Sequence, residues 1–386
     1  PPLAFIRPMG SPSGRTDHIS VGTVATPASP VRATRTPGSA AVDAARAYTA
    51  IATQVRKEGL LDRAQWFYGI LGGALALALA ALTVAFIALG DSWFQLFVAA
   101  ALGIVFTQIA FIAHEASHRQ VLGSGPMNDR LGRWLASFGV GMSYQWWMTK
   151  HTRHHANPNR IDRDPDVASD IIIFTADAAG ARTGLAATLT RNQGWLFYPL
   201  LAFEGFNLHV QSVRSLVQRR DVKGRWIELG AIAAHFFLYW AALLVALPFP
   251  LAVTFFLVQT LVFGFYLGTS FAVNHIGMRM IPNHVELDFF RRQVLTSRNI
   301  RGGFWATALL GGLNYQVEHH LFPSMARPYL ARTRTLVMEH CAEQDIAYTE
   351  MTLGAAHRAV ARHIHTVGLA ARDPFACGFK ALYRRG

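Results

Sequence analysis

The chain of 386 residues is 52% hydrophobic and only 15% charged, and its mean hydropathy is +0.23. Soluble domains carry about a quarter charged residues, so this balance excludes an ordinary soluble enzyme. The 36 Lys and Arg residues outnumber the 23 Asp and Glu residues, which leaves a net charge of +13. Long apolar runs separate the cations, which favours a membrane surface over nucleic acid as the anionic partner.

Residues 1–45 are rich in Pro, Ser, Thr, Gly and Ala and lack helical or strand periodicity, so they predict a disordered leader. They contain no apolar run of the roughly 7–15 residues that a secretory signal needs. Their arginines also fit an organellar transit peptide, and Met9 is an alternative start. Cys341 and Cys377 lack the spacing of a metal site or disulfide framework, which indicates a reducing, cytosol-facing environment.

Four uncharged apolar segments are each long enough to cross the hydrocarbon core of a bilayer, which takes about 20 residues. They run from Trp66 to Gly90, Ser92 to Ala113, Leu229 to Leu247 and Leu251 to Asn274. A tight turn joins the first pair, and the Pro248 to Pro250 corner joins the second. The sequence therefore predicts an all-α integral membrane protein with four transmembrane helices in two hairpins.

The two predicted hairpin loops contain no Lys or Arg, so the positive-inside rule places them away from the cytosol. Residues 114–228 and the chain after 275 then form a cytosolic cap, and both termini are cytoplasmic. Within the cap, Leu131 to Met148 and Trp195 to Val217 predict interfacial helices on the cytosolic leaflet. A true membrane span is the alternative for the second of these segments.

Seven of the 16 histidines fall in three short clusters on the predicted cytosolic side. On a helix, imidazoles three or four residues apart share one face and can reach a common metal. His275 closes the fourth apolar segment, which makes it an eighth candidate on the same side. The clusters are His114-Glu115-Ala116-Ser117-His118, His151-Thr152-Arg153-His154-His155 and Gln316-Val317-Glu318-His319-His320.

The first cluster matches the HExxH pattern of zinc hydrolases. A mononuclear zinc enzyme needs three protein ligands, so seven clustered imidazoles predict two metal ions instead. Imidazole suits iron, zinc and copper, and two irons with open positions would serve to activate oxygen. A haem site and a solvated histidine-rich loop are the alternative interpretations of these clusters. His235, inside the third apolar segment, is expected to hydrogen-bond a neighbouring helix.

The motifs HEASH, HTRHH and QVEHH, in this order around two membrane hairpins, resemble the three histidine boxes of the membrane fatty-acid desaturases. The resemblance covers about residues 60–350. It implies a non-haem di-iron centre that uses O₂ and two electrons to introduce a double bond into an acyl chain carried by CoA or by a lipid. The implied iron ligands are His114, His118, His151, His154, His155, His275, His319 and His320.

Gln316, in place of the first histidine of the third box, is similar to the front-end and related acyl-lipid or acyl-CoA desaturases. The sequence contains no His-Pro-Gly-Gly motif of a fused cytochrome b5. The resemblance therefore implies that electrons come from a separate ferredoxin or a reductase of similar role. Because metal-bound imidazoles donate their second N–H to carboxylates or carbonyls, polar residues near the boxes are candidates for supporting the ligands. They are Glu115, Glu318, Asp162, Asp164 and Asp166, with Asn274 and Gln316 expected close to the iron.

The predicted organisation is a leader over residues 1–45, a membrane desaturase domain over 46–350 and a basic cytosolic tail over 351–386. A hydroxylase or ketolase on the same scaffold is the nearest alternative, because the same oxidant can add a hydroxyl group. A catalytically silent lipid-binding membrane protein is a further alternative. Four cations near the boxes are candidates for binding a phosphate-bearing head group. They are Arg153, Arg291, Arg292 and Arg298.

Overall fold

The computed structural model describes residues 48–168 and 171–371, so the predicted leader lies outside the described residues. The described chain is mostly helical. The helices are α1 over residues 48–57, α2 (Gln65–Leu89), α3 (Gln95–Ser117), α4 (Gly125–Arg133), α5 (Tyr144–Ala156), α6 (Ala176–Gly180), α7 (Gly184–Arg191), α8 (Gln193–Ala202), α9 (Glu204–Gln218), α10 (Arg225–Ala246), α11 (Phe249–His275), α12 (Phe289–Thr296), α13 (Gly303–Leu309), α14 (Gln316–Leu321), α15 (Leu330–Glu343) and α16 (Leu353–Leu369).

Short elements complete the described chain. A π-helix covers Trp134–Gly139, and 3₁₀ turns cover Leu313–Tyr315 and Arg327–Tyr329. The strands β1 (Asn299–Arg301) and β2 (Glu350–Thr352) pair in parallel. Helix α16, which follows β2, packs against α8 and α11, so the chain beyond the third box returns to the body of the protein.

Four of the described helices, α2, α3, α10 and α11, are long and apolar enough to cross a membrane. The prediction of a mostly helical membrane protein with four such helices is confirmed. Helix α3 continues through Ser117, beyond the predicted end of its apolar segment, and α11 ends at His275. Each of these two helices therefore carries a histidine of the predicted metal site in its last turn.

Helix α11 packs most extensively against α3, and it also contacts α8 and α9. Glycines allow the close approach at these crossings. A Cβ atom at Gly103 of α3 would lie 2.7 Å from the Gln259 carbonyl oxygen, and one at Gly205 of α9 would lie 2.5 Å from the Thr260 carbonyl oxygen. Small residues bring membrane helices within backbone contact. The pair α3 and α11 thus forms a tightly packed centre that positions the histidines at its end.

The predicted interfacial helix from Leu131 to Met148 is not a single helix, and that prediction is wrong. Helix α4 passes into the π-helix, and the chain then turns before α5 begins. Gly141 adopts a φ of +73°, which is unfavourable for residues with a side chain. The Ser143 side chain accepts a hydrogen bond from the Trp146 amide and caps α5. These two local signals outweigh the continuous apolar pattern.

The segment from Trp195 to Val217 also divides, into α8 and α9 with a break at Phe203. Neither helix reaches the length of a membrane span, so the alternative of a true span is wrong. Val210, Val213 and Val217 recur every three or four residues on α9 and are exposed. An exposed apolar stripe of this kind is typical of a helix that lies on a membrane surface.

The expectation that His235 hydrogen-bonds a neighbouring element is confirmed. Its Nδ1 atom lies 2.8 Å from the carbonyl oxygen of Phe138, at the end of the π-helix. A Cβ atom at Gly141 would lie 2.9 Å from the His235 ring. This hydrogen bond therefore connects α10 to the π-helix, which precedes the second histidine cluster in the chain.

We predict that Gly264→Ala destabilises the folded protein. A Cβ atom at Gly264 of α11 would lie 2.8 Å from the Ala202 carbonyl oxygen and would overlap the Gly205 amide nitrogen. Overpacking of this kind costs about 1–3 kcal/mol, so the midpoint of thermal unfolding in detergent should fall. The matched control is Gly73→Ala in α2, where a Cβ atom would meet no described atom within 4 Å. Equal midpoints for the two variants would contradict the packing at this crossing.

Candidate metal centre

Eight imidazoles converge where the ends of α3 and α11 meet the short helices α5 and α14. They are the eight histidines that the sequence predicts as ligands. Their ring nitrogens fall into two groups, each with its nitrogens within 4.8 Å of one another. The first histidine group comprises His114, His118, His151, His155 and His319, and the second histidine group comprises His154, His275 and His320.

The first histidine group centres on His151. The Nε2 atom of His151 lies 3.0 Å from Nε2 of His114 and 2.9 Å from Nε2 of both His118 and His155. The Nε2 atom of His319 is buried and finds no hydrogen-bond partner in the described chain. The Nε2 atoms of His114, His118, His151 and His155 thus lie close together. The Nε2 atom of His319 belongs to the same group and has no hydrogen-bond partner among the described residues.

The second histidine group is smaller. The Nε2 atoms of His154 and His275 lie 3.3 Å apart. The Nε2 atom of His320 is buried and unpartnered among the described residues, and its ring centre lies 4.7 Å from that of His275 and 5.1 Å from that of His154. The three rings leave their Nε2 atoms directed at one shared volume.

The doubled histidines of the second and third clusters divide between the two groups. His154 joins the second group and His155 the first, whereas His319 joins the first group and His320 the second. Neighbouring residues on an α-helix point about 100° apart, so a His-His pair reaches two adjacent sites. The two doublets therefore connect the two groups.

Both groups fit a metal that binds imidazole. Burial lowers the pKa of His118 to about 3 and holds the pKa values of His151, His155 and His319 well below their usual range. The rings are therefore neutral and carry ring-nitrogen lone pairs, the form that binds metals. A metal–nitrogen bond of about 2.0–2.1 Å separates neighbouring nitrogens by about 3 Å, which is the spacing around His151.

The Nδ1 atoms of the second histidine group all have acceptors opposite them. Both carboxylate oxygens of Asp164 lie 3.0 Å from Nδ1 of His154, and the Thr296 carbonyl oxygen lies 2.9 Å from Nδ1 of His275. A backbone carbonyl can only accept, so Nδ1 of His275 carries the proton and Nε2 keeps its lone pair. Although burial opposes the charged form, the carboxylates of Asp166 and Asp164 raise the pKa of His154.

Four of the predicted supporting residues lie at the second histidine group. Asp164 contacts His154, and Asp166 lies 3.3 Å from the same ring while pairing with Lys150 at 2.9 Å. The Gln316 side-chain amide lies 2.9 Å from Nε2 of His275. Asn274 donates to the Gln316 side-chain oxygen at 3.1 Å.

The other three predicted supporting residues bind groups other than histidines. Asp162 accepts from the exposed Asn283 side chain. Glu318 is buried and accepts from Asn299 at 2.6 Å and from the Tyr348 hydroxyl at 2.8 Å, and burial raises its pKa to about 7. These bonds attach α14 to β1 and to the residues before β2.

Glu115 forms a buried ion pair with Arg327. The Arg327 guanidinium donates to both carboxylate oxygens, at 2.8 and 2.6 Å, and the Tyr68 hydroxyl also donates to Glu115. The pair joins α3 to the segment that follows the third histidine cluster. Because Arg327 occupies both oxygens, Glu115 is not placed as the general base that an HExxH zinc hydrolase requires.

A small, mostly apolar pocket adjoins the first histidine group. It lies between α3, the π-helix, α5 and α11. Its walls include Ala113, His114, Ala136, Trp147 and Phe271. Ligand sites in proteins have mostly apolar walls. The lining of this pocket therefore suits an apolar ligand beside the first histidine group.

Sequence reasoning missed several residues that support the histidines. Trp147 stacks on His151 with ring centres 4.3 Å apart, and its position four residues before His151 on one helix was a usable signal. Arg327 and Gln293 reach the centre from distant segments, and no local spacing marks them. Pro323 follows the end of α14 at Leu321.

Comparison with known proteins identifies the family. A family model described as fatty acid desaturase matches residues 91–352. The Delta(8)-fatty-acid desaturase of Helianthus annuus is 27% identical over 348 residues, which cover 86% of this chain and 75% of that protein. The Delta(5) fatty acid desaturase fat-4 of Caenorhabditis elegans is 30% identical over 320 residues, 78% of this chain and 69% of that protein. The Delta(6)-fatty-acid desaturase fat-3 of the same organism is 28% identical over 260 residues, 64% and 59% of the two chains.

The chain belongs to the fatty acid desaturase family, because the family model covers more than half of it. The predictions of a membrane fatty-acid desaturase and of an oxidoreductase are confirmed. The structure adds that the three motifs lie together in space. That these histidines bind iron stays a prediction.

We predict that Asp164→Ala weakens metal binding and that Asp162→Ala does not. Asp164 is buried against His154, whereas Asp162 is two residues away and accepts a hydrogen bond from exposed Asn283. Loss of an outer hydrogen bond to a metal-ligating histidine typically costs 10–100-fold in affinity. Metal per chain, measured by mass spectrometry after dialysis against a chelator, checks this. Equal metal content in the two variants would show that Asp164 does not support a ligand.

Proposed function

We propose that the protein is an O₂-dependent di-iron desaturase of membrane-borne fatty-acyl chains, with its active site on the cytosolic side of the membrane. The observation that carries the proposal is the division of eight buried or half-buried imidazoles into two adjacent groups beside an apolar pocket. Two groups suit two metal ions, and the cavity suits an acyl chain.

The donor set supports iron. All eight ligands are imidazoles, and Glu115, the one carboxylate within the first motif, is occupied by Arg327. Imidazole sites suit iron, zinc and copper; zinc has no redox chemistry, whereas iron activates O₂ and is the metal that the resemblance implies. When bound, iron supplies the activation of O₂ in a net reaction that converts –CH₂–CH₂–, O₂, two electrons and two protons into –CH=CH– and two water molecules.

The protein's own side chains position the acyl chain and exclude water from the pocket. His114 belongs to the first histidine group and also lines the cavity, so an acyl chain in the cavity touches that group. Phe271 and Trp147 close the cavity with aromatic surface and keep water away from the reacting carbons. Stacking on Trp147 also fixes the plane of the His151 ring.

The topology follows from charge and connection length. Five residues join α2 to α3, and two join α10 to α11. Neither connection contains Lys or Arg. We infer two membrane hairpins whose connections lie on the far side and a cytosolic cap that carries the histidines. The desaturase domain then covers about residues 46–350 and is preceded by a leader, with both termini cytosolic. In the segment predicted as a basic tail, β2 pairs with β1 and α16 packs against α8 and α11.

The substrate class and the electron donor can also be proposed. The named relatives act at the Delta(5), Delta(6) and Delta(8) positions of fatty acids, and we propose a front-end position for this chain as well. Exposed Arg153 is suited to a phosphate-bearing head group on CoA or a lipid. Arg298 is not, because it is buried and donates to the Ile276 carbonyl oxygen. Electrons are proposed to come from a separate ferredoxin or similar reductase.

We predict new unsaturated fatty acids when the full chain is expressed in a host with a simple fatty-acid profile and a suitable electron donor. Gas chromatography and mass spectrometry of total lipids give the bond position. His319→Ala is the control, because it removes one ligand from the first histidine group. Hydroxylated chains in place of new double bonds would contradict desaturation and favour the hydroxylase alternative.

We predict that Ala136→Leu lowers turnover without lowering metal content. Ala136 is buried in the cavity wall, and a larger side chain there fills space that the acyl chain needs. Product formed per bound metal should fall at least tenfold. Ala81→Leu, on the exposed face of α2, is the matched control. Unchanged turnover in Ala136→Leu would place the acyl chain elsewhere.

A further inference from the structure

Gln293 lies in the middle of α12, the helix between α11 and the third histidine motif. Its side chain is fully buried, with 0% exposure. The Asp288 side chain caps α12 by accepting from the Arg291 amide. Gln293 thus points inward from a short helix that has no histidine of its own.

The two ends of the Gln293 amide bind two different histidine motifs. Its nitrogen donates to the His155 carbonyl oxygen at 3.0 Å, and its oxygen lies 2.9 Å from Nδ1 of His320. A backbone carbonyl can only accept, so the NH₂ end must face His155. The oxygen end then faces His320, whose Nδ1 must carry the proton.

This orientation determines what His320 offers to a metal. With the proton on Nδ1, the buried and otherwise unpartnered Nε2 atom of His320 keeps its lone pair within the described structure. The same helix holds a second ligand, because the Thr296 carbonyl oxygen accepts from Nδ1 of His275. Helix α12 therefore contacts the second motif, the end of α11 and the third motif at once.

Two rings of the first histidine group lack comparable support. The Nδ1 atoms of His114 and His155 are buried without hydrogen-bond partners in the part of the chain that the structure describes. That group has five imidazoles, whereas the second has three. With fewer ligands, the second group depends more on each ring being held in the correct tautomer and orientation.

We propose that Gln293 is a positioning residue for the second metal site. It selects the His320 tautomer that binds metal through Nε2, and it fixes the third motif relative to the second. This inference rests on the proposed di-iron function. It concerns one site of the two, and so it can fail while the proposed function stands.

The test compares iron content in the full-length protein purified in detergent. Gln293→Met keeps the length of the side chain and removes both hydrogen bonds. We expect iron to fall from two per chain to about one, because the loss of such an outer bond typically lowers metal affinity 10–100-fold. The control is Gln193→Met, which removes three buried hydrogen bonds to Ile173 and Ile364, away from the histidines. It should retain two irons.

Gln293→Glu separates positioning from general packing and serves also if Gln293→Met does not fold. A carboxylate keeps the acceptor for His320 and loses the donor to His155. We expect two irons, with the Mössbauer signal of one iron shifted and that of the other unchanged. This signature does not arise from a merely structural role.

The outcomes separate the two ideas. Two irons in Gln293→Met, equal iron loss in Gln193→Met, or an unshifted spectrum in Gln293→Glu would each overturn the role of Gln293. A wild-type protein that binds no iron would instead overturn the proposed function, whatever the variants show.

Discussion

Neutral imidazoles repel one another when their lone pairs meet at about 3 Å, and this protein brings eight imidazoles together in two adjacent groups. His151 alone has three other Nε2 atoms within 3.0 Å. Such an arrangement persists only if the surrounding structure holds it or a cation occupies it. The helix packing, the buried ion pair and the hydrogen bonds around the histidines are best understood as the means of holding it.

Three polar connections hold the groups from outside. Arg327 binds Glu115 and attaches the end of α3 to the chain beyond the third motif. Asn299 and Tyr348 bind Glu318 and attach α14 to the β1 and β2 region. Asp164 binds His154 from the loop after α5. Each carboxylate is buried, and both of its oxygens accept hydrogen bonds, so each connection adds rigidity without an unsatisfied buried acceptor.

Much of the fold could be predicted from the sequence because membrane spans and histidine spacing are local signals. The four apolar segments needed only length and hydropathy, although α3 continues past the predicted end at Ala113 to Ser117. The break before α5 was not predicted, because the apolar pattern continues through it and only Gly141 and Ser143 mark it. The division of His154 and His155 between two groups depends on tertiary packing. So does the role of Gln293, which binds motifs far away in sequence.

The central claim is that two irons lie in two separate histidine groups. The most direct measurement is iron analysis of the purified wild-type protein together with X-ray absorption at the iron edge. The account predicts two irons per chain, with nitrogen and oxygen neighbours at about 2.0–2.2 Å and no sulfur or porphyrin signature. One iron per chain, stoichiometric zinc in place of iron, or a haem spectrum would contradict it.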